Sequence, residues 1–315
     1  MATRAARSRL RGVLLLLTAT LAGASCAAGP APHKIDPARL HARVVQQVEM
    51  GPRIPGTPGH DAIVRWLTSE LKRMGAEVEE QAFLDTLSSG PLPIRNLRAR
   101  FAATSGPGAR RVLLCAHYDT RPWCDQDPDS TAWHKPLPGA NDAGSGVAVL
   151  LEIGELLAVR RAPVEVELVF FDAEDQGREG HSDEYSRGAL GYARRIGTDR
   201  PAAAFVFDMV GDRDLNIHPE SFSVSQASNL VDLVWDGAKK VKATGFKEGI
   251  AHAVTDDHIP LLNAGIPAVD LIDFDYAAWH TRADLPDQVS GESLAQVARV
   301  AAWLIYDSPL ARPGH

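Results

Sequence analysis

Cysteine is scarce in this chain of 315 residues: Cys26, Cys115 and Cys124 are all it has. So few cannot staple a chain of that length. Stability must come from a hydrophobic core, and 45% hydrophobic residues suffice for one large α/β domain. Also lacking is any basic stripe or interleaving of basic with aromatic side chains, which at a net charge of -7 argues against a nucleic-acid partner. No apolar run reaches the roughly 20 residues needed to span a bilayer. No internal repeat, low-complexity tract or linker marks a second domain.

The one basic cluster is Arg4, Arg7, Arg9 and Arg11, followed by an apolar stretch from Val13 to Leu21 and by small residues as far as Ser25. That order is the pattern of a secretory signal. Residues 1–30 are therefore read as a signal with a short tail, and residues 31–315 as the working domain. Export to the periplasm or cell envelope, or secretion, is expected. Cys26 comes next, so a lipid anchor and simple export both stand open: Gly23 lies where a lipoprotein signal carries leucine or another aliphatic residue. Cys115 and Cys124 are either a disulfide across the intervening loop or two separate thiols.

What is present alternates regularly. Asp36-Pro37 opens a helix with a capping side chain and a proline in the first turn, and Leu40, Val44, Val45 and Val48 keep its period until Gly51-Pro52. A second amphipathic helix is expected over residues 61–74, then strands around residues 76–84, 94–102 and 110–116. Strands around residues 164–171, 202–207 and 267–272 alternate with helices over residues 147–159, 228–242 and 292–306. This order predicts an α/β single domain with a mostly parallel, mixed central sheet flanked by helices on both faces.

Chemistry concentrates where the strands end. Val112-Leu113-Leu114 delivers His117 and Asp119, and Asp142 enters a helix within the glycine-rich Gly139 to Gly146 segment. Later strands run into Glu174 and Asp175, into Asp208, and towards His280. Ligands gather at such carboxyl ends in open α/β sheets. Any one polar residue there is ordinary loop. Several carboxylates and two imidazoles together would repel without a cation, and that donor set suits Zn²⁺.

The combination of His117-Tyr-Asp119, Gly139-Ala-Asn-Asp142, Asp172-Ala-Glu174-Asp175, Asp208 and Trp279-His280-Thr281 resembles the zinc aminopeptidase-like superfamily, with its M28 peptidases and glutaminyl cyclases. Four stretches, AHYDTRPWCDQDPD, FFDAEDQG, TDDHIP and AWHT, are similar to the bacterial glutaminyl cyclases and occur in order across most of the mature chain. The resemblance implies a zinc aminopeptidase-like (phosphorylase/hydrolase-like) fold. It also implies one Zn²⁺ held by Asp142, Asp175 and His280, with Glu174 as general acid and base beside Asp208 and Asp256. It implies turnover of peptides or proteins with N-terminal glutamine to pyroglutamate, and a cis peptide between Asp142 and Ala143.

Trp279 and Tyr185 are candidate walls of the substrate pocket, though a core aromatic and a surface tyrosine explain them as simply. Whether Asp256 or Asp257 joins the proton network stays open, and His258 with Pro260 is expected to shape their loop. His134, His181, His218 and His252 read as solvated loop residues. Two other functions were weighed. An M28 di-zinc aminopeptidase would use Asp142 as a bridge and His117 with Asp208 for the second ion. An exported binding module without catalysis should have lost Asp142, Glu174, Asp175 or His280, and all four are present.

Overall fold

The computed structural model describes residues 1–2, 34–178 and 180–312, so the expected export signal and Cys26 lie outside the described residues. Its sheet contains β1 (Glu77–Leu87), β2 (Gly90–Phe101), β3 (Arg111–His117), β4 (Glu165–Phe171), β5 (Ala203–Asp208) and β6 (Ala268–Ile272), in the order β1-β2-β4-β3-β5-β6. The last four in that order run parallel, while β1 and β2 form an antiparallel hairpin whose second strand pairs antiparallel with β4. β3 and β6 are buried along their whole length. Strands covered on both faces read as such unbroken apolar runs.

Helices among the described residues are α1 (Pro37–Glu49), α2 (Pro58–Arg73), α3 (Gly144–Val159), α4 (Arg187–Arg195), α5 (Ser221–Val241), α6 (His258–Asn263) and α7 (Gly291–Tyr306). On β4, Leu168 meets α3 at Gly154, whereas the Phe171 ring lies 5.7 Å from Tyr192 of α4. Alternation along a strand points residues 168 and 171 to opposite faces, so helices cover both sides, as the sequence predicts. α1 and α7 pack with α3, α5 with α7, and α6 with α4. None of these helices is long and apolar enough to cross a membrane.

Three departures from the expected elements have physical causes. α5 starts at Ser221 rather than near residue 228 because Glu220 caps it, and a non-helical Ala227 (φ -142°, ψ 38°) separates its first turns from the periodic part. α4 and α6 were not expected. The first carries Gly188 and Gly191, poor helix formers that admit close packing, and the second is too short for a periodic signal. β2 also begins earlier, running through Pro91 and Pro93. Its pairing with β4 covers only Leu97 to Phe101, so those prolines face an open edge. Cys115 and Cys124 are buried and unpaired.

Candidate active site

The parallel strands bring their C-terminal ends to one edge, and each end delivers a side chain to the same place. Asp142 is set by what holds its backbone: Asp284 accepts from the N–H of Asn141 (2.8 Å) and of Asp142 (3.2 Å), and Tyr276 donates its hydroxyl to the same carboxylate at 2.8 Å. Buried Arg53 donates to the carbonyls of Tyr118, Pro138 and Gly139 and so fixes the approach to that turn. The Asp142-Ala143 peptide is cis, as the resemblance implies. Gly146 lets α3 start against the strand ends, since a Cβ there would collide with the Phe207 carbonyl.

After β4 the chain turns through Ala173, which has a positive φ of 55°. Asp119 stabilises this turn by accepting from the N–H of Glu174 (3.1 Å), the N–H of Asp175 (3.3 Å) and the Gln176 amide (2.8 Å). Its role is therefore to hold the turn. Asp175 Oδ1 accepts from Arg121 at 2.6 Å, while its Oδ2 is buried without a hydrogen-bond partner and lies 3.5 Å from His280 Nε2. A buried carboxylate oxygen with nothing to accept from is costly, unless a cation takes the place of a donor.

Asp142, Asp175 and His280 each offer one ligand atom, all within 4.8 Å of one another. Two carboxylates and an imidazole so placed fit one zinc ion with a coordination position left for substrate. His117, Asp142 and Asp208 form a second such group that shares Asp142: His117 Nε2 lies 3.1 Å from Asp208 and 3.2 Å from Asp142. Asp256, His258 and Asp270 form a third, fully buried group.

Electrostatics sort the carboxyls into two classes. Burial, and then the neighbouring Asp175 and Asp256, push Glu174 well above the ordinary carboxyl range. Burial also acts on Asp175, but His280 and then Arg121 outweigh it and hold that group below its usual value. Asp256 is raised to about 6 by burial and by Asp208. Asp257 is driven well up by burial and by Asp256. One carboxyl is thus kept as an anion next to one that favours its proton, the division that acid-base chemistry beside a metal requires.

These groups open into a cavity of about 380 Å³, whose lining includes Glu174, Tyr185, Asp208, Asp256, Trp279 and His280. The Trp279 ring stacks on that of His280, with centroids 4.0 Å apart. Tyr185 packs against Gly177, where any Cβ would strike its ring, and it accepts a hydrogen bond from Arg121 at 3.2 Å. Both aromatic candidates therefore stand in the wall of the cavity. Asp256 lines it too, and Asp257, buried, is not among the lining residues. His258 is not a loop residue: it begins α6, is wholly buried, and lies 3.2 Å from Glu220 and 3.6 Å from Asp270. His252 is half-buried, its ring 5.6 Å from that of Phe274.

Sequence reasoning missed Arg121, Asp125 and Asp284. Each acts through partners distant along the chain, and the only available signal was their place beside the His117 and His280 motifs.

Residues 96–305 match the model of peptidase family M28. The solved glutaminyl cyclase of Bacteroides thetaiotaomicron, bound to N-acetylhistamine, shares 30% identity over 87% of this chain and 98% of its own, with a TM-score of 0.83. A Zn-dependent exopeptidase of Parabacteroides distasonis shares 32% identity over 88% of this chain and 100% of its own, also at 0.83. The glutaminyl-peptide cyclotransferase-like protein of Bos taurus is 26% identical over 85% of this chain and 75% of its own length. From a family model that matches most of the described domain, and a fold shared with a solved glutaminyl cyclase and a solved Zn-dependent exopeptidase, this chain belongs to peptidase family M28.

Proposed function

We infer that this chain is a zinc-dependent glutaminyl-peptide cyclotransferase, which closes N-terminal glutamine to pyroglutamate with release of ammonia. The observation that carries the reading is Glu174, buried with a raised proton affinity, in the same small cavity as Asp142, Asp175 and His280. One zinc ion at those three side chains would supply Lewis acidity to the substrate γ-carbonyl. Glu174 takes a proton from the α-amine as the amine nitrogen bonds to the side-chain amide carbon, Cδ, and returns it to the amide nitrogen as the Cδ–N bond breaks and ammonia leaves. Asp208 and Asp256 line the same cavity, where Asp256 is raised to about 6 and stands beside Glu174 as a further proton-bearing carboxyl. Trp279 and Tyr185 hold the glutamine side chain folded back on its own amine. Nucleophile and electrophile belong to one residue, so no water has to be activated and a small pocket suffices.

Incubating the protein with a glutamine-initiated peptide should give loss of ammonia by mass spectrometry, with no free amino acid released from peptides that lack the glutamine. The opposite pattern, with two tightly held metal ions per chain, would establish an aminopeptidase. That second reading is favoured by the His117, Asp142 and Asp208 group, which could take another ion, and by the likeness to a solved exopeptidase. The order of Arg4 to Leu21 supports export, so substrates would be peptides or proteins met in the envelope or outside it. Cell fractionation tests that location, and mass spectrometry of the processed N-terminus tests a lipid on Cys26.

A further inference from the structure

Besides the Trp279 ring stacked on it, His280 is held by one short stretch of another loop. Asp125 Oδ1 lies 3.3 Å from its Nδ1, on the side of the ring opposite the nitrogen that faces Asp142 and Asp175. The next residue, Gln126, donates its N–H to the His280 carbonyl at 3.2 Å. Two positions further on, Arg282 donates its N–H to Asp127 (3.0 Å) and its guanidinium to Asp129 (2.9 Å). His280 itself has a positive φ of 53°, a conformation that a non-glycine residue keeps only when its surroundings impose it.

Asp125 is in turn fixed by Arg121, which donates Nε (2.9 Å) and Nη2 (2.6 Å) to its two oxygens. The same guanidinium donates Nη1 to Asp175. Arg121 is buried, and its guanidinium also meets the Gly177 carbonyl, the Tyr185 hydroxyl, and the Trp123 and Tyr185 rings. Asp175 and His280 come from loops about a hundred residues apart. They are tied together through one arginine and one aspartate.

Given a zinc ion at Asp142, Asp175 and His280, as proposed above, we propose that Asp125 is the positioning residue of that centre: it orients the His280 imidazole with Nε2 towards the metal, and Arg121 fixes it relative to Asp175. A carboxylate on Nδ1 keeps the proton there, leaves Nε2 free as a donor to the metal and raises its basicity. The bidentate pair with Arg121 removes the freedom that a partly exposed aspartate would otherwise have.

The test is zinc affinity, read by competition with a chromophoric chelator on the full-length protein and independent of turnover. Asp125→Ala should weaken zinc binding by about 10- to 100-fold, and Asp125→Asn, which keeps an acceptor for Nδ1–H, by less. Because Asp125 acts through His280, adding Asp125→Ala to His280→Ala should cause no further loss, and equal affinities of the single His280 variant and the double variant would show it. A merely structural aspartate would add its cost in both backgrounds. Should Asp125→Ala not fold, Asp125→Asn runs through the same cycle. Affinity of the Asp125 variants within twofold of the unsubstituted protein, or a loss that persists in the His280→Ala background, overturns the proposal. Neither result bears on cyclisation by the unsubstituted protein, which decides the functional reading separately.

Discussion

Glu174 and His280 both line the cavity, yet their removal should have different signatures. Glu174→Gln keeps the shape and the three proposed zinc ligands while deleting the proposed proton carrier, so zinc content by elemental analysis should be unchanged and turnover should fall by about a hundredfold or more. Unchanged turnover would remove Glu174 from its role. His280→Ala deletes a proposed ligand, and lower metal content should accompany its loss of activity. The reason these two were legible in the sequence is that each lies in a short run beside another candidate site residue: Glu174 precedes Asp175, and Trp279 stacks on His280. Arg121 and Asp284 were not legible, because an arginine in a polar loop or an aspartate near a helix has no mark of its own until its partners arrive from elsewhere in the chain.

At the scale of elements, the start of α5 does more than begin a helix. Glu220 accepts from the N–H of Phe222 (2.8 Å) and Ser223 (2.7 Å), two of the donors a helix leaves unpaired, and also from the N–H of Val254 (3.2 Å) in the cavity wall. His258, 3.2 Å away, and the N–H groups of Phe222 and Ser223 outweigh the effect of its burial and hold the carboxyl low, at about 2. Glu220→Ala should therefore cost about 1–2 kcal/mol, the upper part of the range for a lost helix cap, as measured by denaturant unfolding. Because Val254 lines the cavity, KM should rise as well. A variant with unchanged stability would show that the cap contributes nothing. The strands and long helices were readable from period and punctuation. α4, with its two glycines, and α6, with six residues, were decided by packing rather than by propensity.

For the whole molecule, the gathered carboxyls make folding depend on both pH and metal. Without zinc, Asp256 and Asp284 are raised from an ordinary 3.8 to about 6 and about 7, chiefly by burial. His280 is raised from 6.5 to about 9, burial opposing and Asp175 and Asp125 prevailing. A group whose proton affinity is higher in the folded state favours folding while protonated, and that advantage is lost as pH rises through the folded value. Metal-stripped protein should therefore lose thermal stability progressively between about pH 4 and pH 9. Adding zinc should restore it most at the alkaline end, where the ligands are deprotonated and binding to the folded state is strongest. Melting curves with chelator and with zinc at several pH values check both. A flat profile in the chelated protein would show that the cluster imposes no such strain.

The sequence by itself determined the sheet and its long helices, because hydrophobic period and capping chemistry are local and survive without neighbours. It also placed the ligand types at the strand ends and marked the family through short ordered motifs. What only the tertiary structure decided was which polar groups serve chemistry and which serve support. Asp119 faces backbone N–H groups, Asp256 faces the cavity with Asp257 buried outside its lining, and Asp125 faces an imidazole. A carboxylate has one chemistry in the sequence and several in the fold, since its proton affinity and its role are set by burial and by the charges that loops distant in the chain bring against it.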